Sequence, residues 1–370
     1  MADSFTVRPI PRRRRLTWMQ QNFFNDREDP LSLERIRNVL VRLEDTIIFC
    51  IIERAQFALN PRIYQRGAFK ELTDLGFSGS WLEWFLKEIE TFHAKARRYT
   101  SPDEYPFTKG LPGPLIPALK FPQILYDHPN CMNLNVNPSI LSFYTRSVVP
   151  RVTQRATLNL ASRNRAMGIQ GDEEYEDDGN YGSAATIDVE LLHAISKRVH
   201  YGKFVSESKF REHPALFVPH ILQKDRTALE DLITKPAVER ALLARLIKKT
   251  TIYGADLGMD GEPVRASKSP KTPSNLRIRG LPAHMTPRMD MQAKALPKVE
   301  EPLLALDGDM DDEFSVKIDV EEVKRMYETW IIPLTKEVEV EYLLHRLDGM
   351  NAEQIDALQQ QHDVTTMPPT

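Results

Sequence analysis

The chain has 370 residues, of which 41% are hydrophobic and 27% charged, with a formal net charge of −3. That length can hold one large or two ordinary domains with a real core, and the near-neutral balance gives no global attraction to nucleic acid. The cysteines, Cys50 and Cys131, provide neither a disulfide framework nor a metal-ligand spacing, which fits a reducing compartment.

The longest apolar run, IIFCII (47–52), is too short to span a bilayer, so no membrane association is expected. The early RRRR (12–15) is not followed by an apolar stretch, which argues against a secretory signal. Cytoplasmic localisation is expected, and an organellar-targeting role of the basic N-terminus is the weaker alternative.

In chain order, helical periodicity runs over 31–59, 80–99, 184–212 and 319–348, with shorter candidates at 139–149, 225–233 and 236–252. Starts are marked by Ser32, Ser80, Thr234 (with Pro236 in the first turn) and Asp319. No strand series or hairpin signal occurs, so the fold class is all-α. Residues 100–135 are rich in Pro and Gly yet keep recurring aromatics and Leu, as an ordered loop would. Residues 1–30 and 349–370 read as tails. The span 31–348 reads as one helical domain with disordered insertions near 152–178 and 255–318. Two poorly patterned segments, Val7–Gln21 and Val264–Gln292, begin Val-Arg and end in Gln, as a translated intron could; ordinary disordered sequence is the simpler reading.

Charges on apolar faces carry the chemistry. Positions eleven apart on a helix return to within roughly 20° of one direction. In RVHYGKFVSESKF (198–210), Arg198 and Lys209 therefore share the stripe of Leu191, Ile195, Gly202 and Val205, while Lys197, His200, Lys203 and Glu207 lie on the polar side. Arg37 and Glu44 fall with Leu33, Val41, Ile48 and Ile52, and Glu239 with Leu243 and Leu246. Thr335 and Glu339 fall among Ile331, Val338 and Tyr342. Buried charges must be paired, neutralised or met by a ligand. One solution is an internal network, for example Glu44 with Arg198. The other is a pocket for a small dianion, favoured by the excess of cations once Glu44 is matched to one arginine and Glu339 is protonated by its surroundings. No GxGxxG, P-loop, GxSxG or HExxH occurs, and the nine histidines form no ligand pair.

These residues lie in segments that resemble the fungal and plant type of chorismate mutase, the all-α allosteric class. The matching pieces are IRNVLVRLEDTIIFCIIERAQF (36–57), FHAKARRYTSPDEYPF (92–107), FPQIL (121–125), YGSAATIDVELL (181–192), KRVHYGKFVSESKF (197–210), PAVERALLARL (236–246) and PLTKEVEVEYLLHRL (333–347). The resemblance implies a homodimer that rearranges chorismate to prephenate without cofactor or metal, in phenylalanine and tyrosine biosynthesis. It implies that Arg37 and Arg198 hold the two carboxylates and that Lys209 reaches a carboxylate and the ether oxygen. Glu339, protonated, donates to that oxygen, Glu239 accepts from the ring hydroxyl, and Thr335 completes the wall. Gly202 and Val205 would leave room for the ring.

Arg97 and Arg98, with Asn180, Gly182, Ser183 and Thr186 from the partner subunit, would bind the effectors tyrosine (inhibitor) and tryptophan (activator); arginines at a helix end can also simply complement its dipole. Two positions depart from the pattern. Lys235 stands where relatives can have Asn, which bears on the hydroxyl contact. Asp319 stands where the budding-yeast-type enzyme has Thr at a hinge, which bears on the allosteric response, although Asp still caps the helix. A non-catalytic helical interaction protein on the same fold is the rival; it would have no need to keep Arg37, Arg198, Lys209, Glu239 and Glu339 together. A bifunctional enzyme lacks a spare folded segment.

Overall fold

The computed structural model describes residues 29–119, 121–169, 171, 177–255 and 317–361. The Val7–Gln21 and Val264–Gln292 segments, and nearly all of the second expected insertion, lie outside the described residues. Among the described residues there is no β-strand, and the helices found match the all-α expectation. The longer ones begin with α1 (Leu33–Arg54), α2 (Trp81–Lys95), α3 (Asn137–Phe143), α4 (Gln154–Ala166), α5 (Tyr181–His200) and α6 (Gly202–Glu212). After them come α7 (Pro214–Gln223), α8 (Arg226–Ile233), α9 (Pro236–Gly254), α10 (Val320–Met326), α11 (Ile332–Leu344) and α12 (Ala352–Gln359).

Caps explain most of the starts. The Ser32 hydroxyl accepts from Arg35 N, Ser80 and Glu83 form a reciprocal capping box, and the Asp319 carboxylate accepts from Glu321 N. Thr234 differs from expectation: it ends α8, and Lys235 occupies the α9 N-cap without a side-chain bond.

The core forms where α1 lies along α5. Ile47, Ile48 and Ile51 meet Leu191, Leu192 and Ile195, all fully buried. A buried polar knot fixes this pairing. Arg54 Nε donates to Asp188 Oδ1 at 2.7 Å, and its remaining donors reach the carbonyls of Phe57, Ala58 and Leu59 and the Tyr64 hydroxyl. Tyr64 and Tyr144 each donate to Asp188 at 2.6 Å. Every strong donor of Arg54 is matched, which is what makes a buried pair tolerable.

Two expectations fail here. The stretch near 152–178 contains the helix α4, anchored by buried Leu160 and Ala161, where disorder was expected. The C-terminal tail contains α12, started by an Asn351–Gln354 capping box. The polar side of α5 and α6 does not face water. Lys197, His200, Lys203 and Glu207 are at most 4% exposed. Lys197 pairs with Asp103 at 2.7 Å and Glu104 at 2.8 Å; Glu207 accepts from Arg346 and Tyr342 at 2.7 and 2.8 Å. Lys203 lies over the Tyr105 ring at 4.3 Å, and neutral His200 accepts from Val136 N at 3.0 Å. From Leu191 to Phe210 this helix pair is buried on nearly every side, and loops and neighbouring helices supply its polar partners.

Candidate active site

The two halves of the central helix pair bring Arg198 and Lys209 to the same side, where α11 crosses. Gly202 sets that approach. A Cβ there would stand 2.9 Å from Glu339 Cγ and 3.1 Å from the Thr335 carbonyl oxygen, so only glycine lets α6 come this close. Ser206 Oγ donates to the Glu339 carbonyl at 3.0 Å and ties the helices together. Gly202 thus makes room for α11 rather than for a substrate ring, and Val205 packs on the cluster around Tyr201 and Phe204.

Arg198 is 6% exposed. Its Nη1 donates to Thr335 Oγ1 at 3.4 Å, and the Thr335 hydroxyl in turn donates to the Ile331 carbonyl at 2.7 Å. Its Nε makes no hydrogen bond, and its ion pair with Glu44 is long, at 3.9 Å. Glu44 is instead held by Arg245 of α9, whose Nη2 and Nε donate to it at 2.6 and 3.2 Å. The internal-network alternative is therefore only half realised: Glu44 is matched, but chiefly to a different arginine.

Sequence reasoning missed Arg245. The signal was there in the spacing 242, 245, 249, which puts Arg245 and Lys249 on the side of α9 that meets Glu44 and Asp45 of α1.

Glu339 is 8% exposed. Burial pushes its pKa up to about 7, against the opposing pull of Lys209, Arg198 and Lys336. Lys209 donates to the Ile233 carbonyl. Burial holds its ammonium below the ordinary lysine range, with Glu339 opposing and nearby Lys235 adding to the shift. Glu239 reaches the same region from the first turn of α9 and is ion-paired to Lys336 at 2.8 Å. Lys336 was not singled out from the sequence, because a lysine between Thr335 and Glu337 reads as an ordinary surface residue.

Arg37 departs from expectation. It is exposed, because the inward face of α1 at that level is taken by Ile36 and Val39. The stripe that buries Glu44 and Ile48 opens to solvent at Arg37, and the guanidinium makes no hydrogen bond or ion pair among the described residues.

The expected effector residues fall into two groups. Arg97 follows α2 in a left-handed conformation (φ 70°) and donates to the Pro117 carbonyl at 3.0 Å. Arg98 donates to Glu104 at 2.9 Å and contacts His93. Asn180, Gly182, Ser183 and Thr186 form the exposed start of α5, where Thr186 Oγ1 donates to the Gly182 carbonyl at 2.8 Å. The helices α2 and α5 run parallel. Trp81 meets Tyr181 at their starts, and Glu90 meets His193 further along at 3.0 Å. The arginines therefore lie at the opposite end from Ser183 within one chain.

A family model described as chorismate mutase type II matches residues 180–267. Chorismate mutase 1, chloroplastic, of Petunia hybrida is 36% identical over 324 residues, covering 87% of this chain and 78% of that one. Among solved structures, Aro7p chorismate mutase of Candida albicans in complex with L-Trp is 34% identical with a TM-score of 0.64, covering 88% of this chain and 95% of that chain. AtCM1 with tyrosine bound in its allosteric site is 35% identical with a TM-score of 0.59, covering 87% of this chain and 99% of that chain. With buried cations and a raised-pKa acid gathered on an all-α scaffold, and likeness on this scale running almost the length of the chain, the protein belongs to the fungal and plant chorismate mutases, which are isomerases.

Proposed function

We propose that the pocket among α5, α6, α9 and α11 is where this chain converts chorismate to prephenate, by a pericyclic rearrangement that needs no cofactor. The observation that carries the assignment is Arg198. It is a nearly buried guanidinium whose Nε lacks a hydrogen bond and whose nearest carboxylate is already bonded by Arg245. Such a group is poised for a substrate carboxylate. Arg37 takes the other carboxylate from the open end of its stripe.

As the ether C–O bond breaks and the new C–C bond forms, negative charge develops on the ether oxygen. Lys209 and protonated Glu339 stabilise it there, and a raised pKa keeps Glu339 able to donate at neutral pH. Glu239 accepts from the ring hydroxyl, and Thr335 orients Arg198. Holding both carboxylates selects the compact substrate conformer, so the protein contributes orientation and electrostatics rather than covalent chemistry.

The working unit is a homodimer regulated by tyrosine and tryptophan. Ser183 and Lys197 stand roughly 21 Å apart on α5 at about 1.5 Å per residue, and Lys197 shares Glu104 with Arg98. A small amino acid gripped by both Arg98 and Ser183 therefore needs the two groups from different chains. Exposed Phe92, Leu115 and Ile116 near Arg97 supply apolar surface for such a contact. Among the described residues no helix is long and apolar enough to cross a membrane. We place the protein in the cytoplasm, with an organelle as the alternative that its basic N-terminus and the chloroplastic name of the petunia relative allow.

The test is loss of chorismate absorbance on adding the purified protein, with and without tyrosine and tryptophan. Turnover is expected, slowed by tyrosine and raised by tryptophan. A folded dimer that leaves chorismate untouched even with tryptophan present would favour the non-catalytic rival.

A further inference from the structure

Lys336 sits inside the constellation just described, although nothing in the resemblance nominates it. It follows Thr335 on α11 and precedes Glu339 by one helical turn, and its Nζ lies 2.8 Å from Glu239 Oε1. The bond bridges α11 to the first turn of α9. The two side chains are 23% and 31% exposed. Pairs with this much solvent contact contribute little to folding, so the consequence of this one is positional. No other hydrogen bond or ion pair reaches the Glu239 carboxylate among the described residues, which leaves Oε2 open.

We propose that Lys336 is a positioning residue: by holding Oε1 of Glu239 it fixes the carboxylate so that Oε2 meets the ring hydroxyl of the substrate. This rests on the assignment of the pocket above. Without the lysine, Glu239 samples several rotamers, only one of which offers an acceptor in the right place. Lys336 also affects Glu339, which faces Lys209 from α6, Arg198 from α5, Glu239 from α9 and Lys336 on its own helix. Among these, Glu239 favours the protonated acid and Lys336 the ionised one.

The test is steady-state kinetics of Lys336→Met, Lys336→Arg and Glu239→Gln, singly and combined. Lys336→Met should raise KM for chorismate about threefold to tenfold while kcat at neutral pH changes by less than about twofold. Lys336→Arg should recover most of the loss. In the Glu239→Gln background, Lys336→Met should add no further rise. The alkaline decline in rate should move to higher pH in Lys336→Met, because Glu339 loses a neighbouring cation. An unchanged KM, or an equal rise in the Glu239→Gln background, overturns the proposal; the second result would make Lys336 a direct contact to the substrate. Failure of the pocket assignment looks different: Glu239→Gln and Lys209→Ala would then leave turnover intact.

Discussion

At the scale of single residues, the informative groups are those whose surroundings leave a charge incompletely answered. Arg198 keeps an Nε without a hydrogen bond at 6% exposure, and Glu339 is a buried acid poised to ionise near neutrality at about pH 7. Two predictions follow from that chemistry. On the proposed assignment, Lys209→Ala removes the cation that answers charge on the breaking C–O bond, and kcat/KM should fall by about a hundredfold to a thousandfold; a loss confined to KM would place Lys209 in ground-state binding alone.

Glu339→Gln keeps a hydrogen-bond donor at every pH, so activity should persist and its decline above neutrality should flatten. The same variant has a stability signature. Folding raises this pKa from 4.5 to about 7, so the folded state holds more proton than the unfolded chain between those values, and stability falls as pH rises through them. At pH 8 the glutamine variant should be more stable by up to roughly 3 kcal/mol, measured by denaturant melts at pH 5 and 8. An equal difference at both pH values would contradict the buried-acid account.

At the scale of elements, the crossing of α6 and α11 decides whether those residues meet. Gly202 permits it, since a Cβ would press on the Thr335 backbone as well as on the Glu339 side chain. Gly202→Ala should therefore cost about 1–3 kcal/mol of stability and depress kcat by displacing Thr335 and Glu339. Thermal melts read alongside kinetics check it; an alanine variant with wild-type values for both would show that α11 can shift freely.

The same scale shows which elements were readable. The helices α1, α2, α5–α6 and α10–α11 stand out because each carries a long apolar stripe and most have a marked start, and the shorter candidates at 139–149, 225–233 and 236–252 fall on α3, α8 and α9. The helix α4 does not, because only Leu160 and Ala161 of its thirteen residues are buried. In α7 the interior Pro219 breaks the pattern, yet Phe217, Val218 and Ile221 pack well enough to hold the helix. What the polar face of α5–α6 meets was not legible, for a different reason. Periodicity separates polar from apolar faces, but it cannot say whether the polar one meets water or the acids of another segment.

At the scale of the whole molecule, the parallel packing of α2 on α5 separates Arg97 and Arg98 from the Asn180–Thr186 start of α5. An effector site using both groups must then be shared between chains. Mixed dimers provide the check. A chain carrying Arg98→Ala and a chain carrying Ser183→Ala with Thr186→Val should each be unresponsive to tyrosine as homodimers. Their heterodimer should regain about half the response, because one of its two sites is intact. Heterodimers that stay unresponsive would place the site within a single chain.

Local pattern was enough to establish the helical class, the capped starts at Ser32, Ser80 and Asp319, and the placing of ionisable residues on otherwise apolar helix stripes. Those features depend on residues three to eleven positions apart, which a helix brings into register without help from the rest of the chain. Partner choice depends on residues far apart in sequence, and only the tertiary structure could decide it. The packing of α9 on α1 gives Glu44 to Arg245 rather than Arg198. The position of Ile36 and Val39 sends Arg37 outward, and the approach of α11 to Gly202 sets Lys336 against Glu239. A wheel drawn on one helix carries the direction of a side chain but not the identity of what lies across from it, and the chemistry of this pocket is made by those facing groups.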